Sequence, residues 1–161
     1  MICRHCGYKT DEKFCPICGE VVYLTEPPIY TAGTFKNPFI EQIRKKLANM
    51  TGNEFERFCM SYLSMKGFSD LKQTKGSGDH GVDITAEKDG KTYAVQCKKY
   101  GGTVGNEAVQ EIYTGKQIYG KDVAVIITNS KFSAQAMDEG HALGIQLWDR
   151  AKIISDIMLV Q

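Results

Sequence analysis

Residues 76–98 read GSGDHGVDITAEKDGKTYAVQCK, and the rest of the chain can be laid out around them. Two short apolar alternations, Val82 to Ala86 and Thr92 to Cys97, flank Glu87-Lys88-Asp89-Gly90-Lys91. The Asp-Gly pair favours the positive backbone angles of a tight turn, so the stretch predicts a β-hairpin. Pleating sends alternate side chains to one face, which points Gln96 and Lys98 the same way, and antiparallel pairing can bring Asp83 opposite them. An acid, an amide oxygen and an ammonium group then converge. Such a set can hold a divalent cation by its oxygens and set a positive charge beside an attacking water, as phosphodiester hydrolysis requires.

Working outward, Gly67-Phe68 closes a helix and Leu71 to Thr74 can form a first strand, while Lys75 to Gly81 is too glycine-rich for regular structure. Asp79 in that loop is a rival carboxylate to Asp83, which ranks first because it opens the strand and shares the hairpin with Gln96. His80 has the chemistry of a general base but no further pointer to that role. On the N-terminal side, Thr51-Gly52-Asn53-Glu54 has capping-box spacing, with Phe55, Phe58, Cys59, Tyr62 and Leu63 as the buried stripe of a helix. Glu54 is thereby structural, and Glu56 lies off the cap. Before it, Asn37-Pro38 starts a helix with Ile43 and Leu47 at helical spacing and a basic run, Arg44-Lys45-Lys46. Such a run is more often a solvated face than a DNA contact.

Beyond the hairpin, a helix is expected over 105–118, within which Gln110 is a candidate for a contact near a scissile phosphate. Val123-Ala124-Val125-Ile126-Ile127 reads as a strand covered on both faces. A helix from Ser133 to Leu143, a short strand over 145–148 and a final helix from Ala151 complete the order. Thr128-Asn129-Ser130 falls where a central strand ends, a common place for ligand groups. Helix, strand, hairpin, helix, strand, helix, strand, helix predicts a three-layer α/β/α domain with a mixed sheet.

At 161 residues the chain holds one ordinary domain and a small appendage. A formal net charge of +1 gives no global footprint of a coat-like nucleic-acid binder, so any DNA-binding charge is local. No apolar run is long enough to span a bilayer and Met1-Ile2-Cys3-Arg4 opens no secretory signal, which leads to the expectation of a cytoplasmic protein. Of six cysteines, four form two Cys-x-x-Cys pairs at the start: Cys3 with Cys6, and Cys15 with Cys18, each pair followed by glycine. Two such knuckles give the tetrahedral thiolate set that Zn²⁺ prefers, against the alternative of two redox dithiols. Residues 1–20 are therefore read as a structural zinc ribbon, 21–36, with Pro27-Pro28, as a linker, and 37–161 as the main domain. Such a ribbon can meet DNA phosphates through Arg4, Lys9 and Lys13, or dock a protein partner.

Asp83, followed by Gln96-Cys97-Lys98 and preceded by Gly52-Asn53-Glu54-Phe55-Glu56 on a helix, resembles the PD-(D/E)XK nuclease core in the form used by the Mrr family of restriction endonucleases. That family has Gln where most relatives have Glu or Asp. The resemblance runs from about Thr51 to about Lys152 and takes in Gly78 to Asp83, Val104 to Tyr113, Ile127 to Ser130, and Phe132. It implies a restriction-endonuclease-like fold and a Mg²⁺-dependent DNA endonuclease. Asp83 and Gln96 would be Mg²⁺ ligands with the Cys97 carbonyl, Lys98 the group that orients the attacking water or stabilises phosphate charge, and Glu56 an outer acid. An amide in place of a carboxylate lowers the negative charge of the site and weakens its hold on a cation. A single site serves one strand, so cutting both strands calls for a homodimer or two successive events. The competing readings are a non-catalytic DNA-binding module whose ribbon docks a protein partner, and a zinc-ribbon adaptor with a purely structural α/β domain.

Overall fold

The computed structural model describes residues 37–74, 78 and 80–160. The ribbon cysteines Cys3, Cys6, Cys15 and Cys18, the linker over 21–36 and the rival acid Asp79 lie outside the described residues.

Helix α1 (Pro38–Asn49) starts at Asn37, whose side chain accepts from the Phe39 amide at 3.0 Å, with proline at the first turn where its missing N–H is harmless. Helix α2 (Gly52–Met65) opens on a complete capping box. The Glu54 amide donates to the Thr51 hydroxyl at 3.2 Å, and the Thr51 amide to the Glu54 carboxylate at 2.7 Å. The bond from the Thr51 amide, and after it one from the Thr51 side chain, hold the Glu54 carboxyl below its ordinary pKa. Glu54 is spent on the cap, which leaves Glu56 as the acid of this helix that can serve a site.

Strand β1 (Ser69–Gln73) pairs antiparallel with β2 (Ile84–Lys88), and β2 with β3 (Lys91–Lys98). The β2–β3 turn is Asp89-Gly90, at φ 51° and 76°, the left-handed pair expected of Asp-Gly, and Lys88 faces Lys91 across it. A two-residue strand β4 (Thr103–Val104) leads into α3 (Asn106–Ile118). Strand β5 (Val123–Thr128) then lies parallel to β3, with Lys98 opposite Thr128. Strand β6 (Lys131–Phe132) pairs parallel with β4, and α4 (Ala134–Leu143) follows. Strand β7 (Gln146–Trp148) closes the main sheet beside β5, and α5 (Arg150–Leu159) ends the described chain. The main sheet has the order β1-β2-β3-β5-β7, antiparallel on one side and parallel on the other.

Alternation along the strands divides the core in two. Ile84, Val95, Val125, Ile127 and Trp148 pack with Leu47, Phe55, Cys59, Tyr62, Leu63 and Ile153, so α1, α2 and α5 cover one face. Ala94, Ala124, Ile126 and Leu147 pack with Ala108, Val109, Ile112 and Ala136, so α3 and α4 cover the other. The three-layer α/β/α arrangement with a mixed sheet is thus the one the order of elements predicts. Among the described residues no helix is long and apolar enough to cross a membrane.

Candidate active site

The β2–β3 ladder stops at Ile84 and Val95, and the chemistry lies just past that point. Asp83 is anchored there twice: its amide donates to the Val95 carbonyl at 2.8 Å, and its carboxylate accepts from the Cys97 amide at 2.7 Å. The side chain thus takes the place of a ladder partner and is held against the strand that carries Gln96 and Lys98. Pleating turns Gln96 toward the α3 layer, where it is 1% exposed. Its Nε2 donates to Glu111 Oε2 of α3 at 2.7 Å, and Lys98 Nζ donates to the same oxygen at 3.0 Å. Burial works to raise the Glu111 carboxyl, but the hydrogen bonds from Lys98 and Gln96, with the Lys98 charge, outweigh it and hold the group below its ordinary pKa.

The other face of β3 carries Cys97. Its thiol is pushed well up by a hydrogen bond with Cys59, by burial, by the Cys59 charge, and by the nearby carboxylates of Asp83 and Glu56. A thiol so placed is a packing group, not a nucleophile. Glu56 approaches from α2 on this side, half-buried, and accepts from Gln73 Nε2 of β1 at 3.4 Å. Asp83, Gln96 and Lys98 therefore gather at one end of the hairpin, whereas Glu56 reaches it from the opposite helical layer.

Two glycines shape the approach. A Cβ on Gly81, at φ 77°, would stand 2.5 Å from Gln96 Nε2 and 2.7 Å from the Glu111 Cγ, so the loop can lie against this pair only as glycine. A Cβ on Gly115 of α3 would stand 2.5 Å from the His80 carbonyl oxygen. His80 itself is exposed, at φ 50°, and its backbone is what α3 packs against. Gln110 turns toward α4: its Nε2 donates to Glu139 at 2.9 Å, beside Asn106, which donates to the other oxygen of that carboxylate. The next residue, Glu111, is the one that meets the site. Thr128, Asn129 and Ser130 also have structural partners: Asn129 accepts from the Tyr100 amide at 2.8 Å and Ser130 donates to the Gly102 carbonyl, which fixes the chain after β3.

Whether a cation suits this set is answered by one atom. Gln96 Oε1 is buried and has no hydrogen-bond partner among the described residues, an arrangement that leaves a carbonyl oxygen about 1–3 kcal/mol short of its hydration. A hard cation is the partner such an oxygen takes. Among the described residues no group of three or more His, Cys, Asp and Glu side chains is disposed to hold a metal. A set of one carboxylate and one amide, such as Asp83 and Gln96 would offer, is sparse enough to suit Mg²⁺, which keeps several waters. An open cleft of about 320 Å³ lined by Lys98, Tyr100, Thr103, Val104, Gly105, Glu107 and Ala108 adjoins the site. A larger one of about 570 Å³, between α1 and α2, has none of the site residues in its wall.

Known proteins share this fold. The curated Type IV methyl-directed restriction enzyme EcoKMrr of Escherichia coli (strain K12) is 29% identical over 123 residues, a match covering 71% of this chain and 40% of that protein. The chain thus spans well under half of that relative. Among solved structures, the DNA modification-dependent restriction endonuclease AspBHI aligns with a TM-score of 0.59 at 20% identity, over 76% of this chain and 35% of that one. The MspJI restriction endonuclease, in complex with a 27-mer oligonucleotide, aligns with a TM-score of 0.55 at 16% identity, over 86% and 35%. A protein of unknown function, AF1548, aligns with a TM-score of 0.51 at 25% identity, over 58% and 55%. The fold is that of the restriction endonucleases. The Mrr_cat family, described as restriction endonuclease, matches residues 47–157, which include Glu56, Asp83, Gln96, Lys98 and Glu111, and the chain belongs to it.

Proposed function

We propose that the chain is a Mg²⁺-dependent DNA endonuclease that hydrolyses phosphodiester bonds at the open end of the β2–β3 hairpin. The observation that carries this reading is the buried Gln96 oxygen, without a partner among the described residues, on the strand whose next amide holds the Asp83 carboxylate, with the Lys98 ammonium two residues on. Asp83 and Gln96 would hold the cation. When bound, Mg²⁺ supplies Lewis-acid charge at the phosphodiester. Lys98, paired with Glu111 yet 38% exposed, can face a phosphate and stabilise its developing charge or orient the attacking water. Glu56 contributes from the α2 side as an outer acid. With one such site per chain, cleavage of both strands takes a homodimer or two successive nicks.

The test is incubation of the full chain with methylated and unmethylated supercoiled plasmid in Mg²⁺. Nicked or linear product is expected from the unaltered protein on at least one of the two, and none after chelation or from Asp83→Ala. No product on either plasmid, or equal product from Asp83→Ala, rejects the reading.

The N-terminal residues 1–20 are proposed to be a zinc ribbon joined by a linker over 21–36, on the strength of the Cys-x-x-Cys spacing of Cys3, Cys6, Cys15 and Cys18. Four thiolates make a closed site with a structural role, available for contact with DNA or a protein partner. Elemental analysis of protein purified without chelators is expected to give one zinc per chain, and zinc-free folded protein would remove the ribbon.

A further inference from the structure

We propose that Glu111 is a positioning residue that, with Gln96, forms a two-residue unit: the carboxylate on α3 fixes which end of the Gln96 amide faces the cation, and it is the reason an amide stands at position 96. This rests on the nuclease reading above and deepens it.

The first step is donor and acceptor counting. Two donors, Gln96 Nε2 at 2.7 Å and Lys98 Nζ at 3.0 Å, converge on Glu111 Oε2, an oxygen that serves here as acceptor alone. An amide has one donating and one accepting end. Turning it over would set its oxygen against the carboxylate oxygen at hydrogen-bond distance, with no proton between them. Gln96 is 1% exposed, so water cannot relieve that repulsion. Glu111 therefore selects a single orientation, nitrogen toward α3 and oxygen away from it, and that oxygen is the one without a partner among the described residues.

The second step concerns space. Gly81 lies so close that a Cβ there would stand 2.5 Å from Gln96 Nε2 and 2.7 Å and 2.9 Å from Glu111 Cγ and Cδ. Gly81 lies against the pair on that flank, so neither side chain can swing toward it. A glutamate at position 96 would then face the Glu111 carboxylate with Lys98 as the cation they share. Its extra negative charge would go into repulsion before it could serve a metal. Exchanging the two residues restores one carboxylate and one amide, with the amide now donating from α3 and a carboxylate on the strand.

The experiment is a cycle of Gln96→Glu, Glu111→Gln and the double exchange in the full chain, read by melting without metal and by Mg²⁺ binding in calorimetry. Gln96→Glu is expected to lower Tm by about 2–4 °C, and Glu111→Gln in the same chain to restore it. Glu111→Gln alone should weaken Mg²⁺ binding about tenfold, because the amide orientation is no longer imposed. Gln96→Glu alone should not tighten it, while the exchange should bind at least as tightly as the unaltered chain. Additive melting effects, or Gln96→Glu alone binding Mg²⁺ as tightly as the exchange, overturn the unit. Coupled melting in a chain that neither binds Mg²⁺ nor cuts plasmid overturns the nuclease reading and the cation-facing half of this proposal, and upholds only the pairing.

Discussion

Replacing Lys98 by alanine is expected to lower DNA cleavage about a hundredfold or more while leaving Tm almost unchanged. Lys98 is the last residue of β3 and pairs through its backbone with Thr128 of β5, contacts that alanine keeps. Its ammonium meets Glu111 at 3.0 Å, but the two side chains are 38% and 46% exposed, and an ion pair so placed stabilises a fold by about 0–1 kcal/mol. The fold has little use for the charge. The chemistry does, because an ammonium held by a fixed carboxylate at the strand end needs no reorganisation when negative charge grows on a phosphate. Cleavage by the purified variant and a melting curve decide the matter together. Full cleavage removes Lys98 from the chemistry, and lost cleavage with a collapsed melting curve assigns it to the fold instead.

What the sequence makes legible here follows how local each signal is. Asp-Gly sets the hairpin turn through backbone preference alone, so the turn falls where expected; β2 starts at Ile84, two residues after the expected Val82, and reaches Lys88, while β3 gains Lys91 beside the turn and Lys98 at its far end. The edge strand β1 runs over Ser69–Gln73, two residues ahead of the expected start at Leu71, because it is exposed almost throughout and Leu71 is its one partly buried residue. β4 and β6 have two residues each, too few for any periodicity, and are missed altogether. In the site, Asp83, Gln96 and Lys98 come from one hairpin and can be aligned by pleating. Glu111 cannot, since nothing in α3 distinguishes it from the neighbouring Gln110, which meets Glu139. The one available signal is chemical: an amide destined for burial between strand and helix needs an acceptor across from it, and Glu111 is the acid that the Gly81 gap admits. Lys152 was equally unreadable, a lysine 2% exposed that meets Asp156 one turn further on and lies over the Trp148 ring.

That lysine leads to the other large effect: Asp156→Ala is expected to destabilise the domain by about 3–5 kcal/mol, the range for removing one partner of a buried ion pair. Asp156 of α5 accepts from Tyr62 Oη and Lys66 Nζ of the α2 end, each at 2.5 Å, and from Lys152 Nζ at 3.3 Å. Lys66 and Lys152 also lie over the Trp148 ring, at 4.9 Å and 5.8 Å from its centre, so the cluster ties α2 to β7 and α5. Burial works to raise the Asp156 carboxyl, but the bonds from Lys66 and Tyr62 and the two lysine charges hold it low. A lowered carboxylate pKa contributes stability that is present above the unfolded value, near 4, and is lost as pH falls through the folded value. The gap between variant and unaltered protein should therefore narrow below about pH 4. Lys66 shifts in the other sense for the fold: burial first, then repulsion by Lys152, lower its pKa from 10.5 despite the bond to Asp156. The folded chain then binds fewer protons than the unfolded one between that lowered value and 10.5, and stability rises with pH across that window. Without Asp156 two ammonium groups face each other with no shared carboxylate, so the window should extend to lower pH in the variant. Urea unfolding at several pH values measures both trends, and a variant within about 1 kcal/mol of the unaltered protein at neutral pH would show that the cluster is relieved by water and holds nothing together.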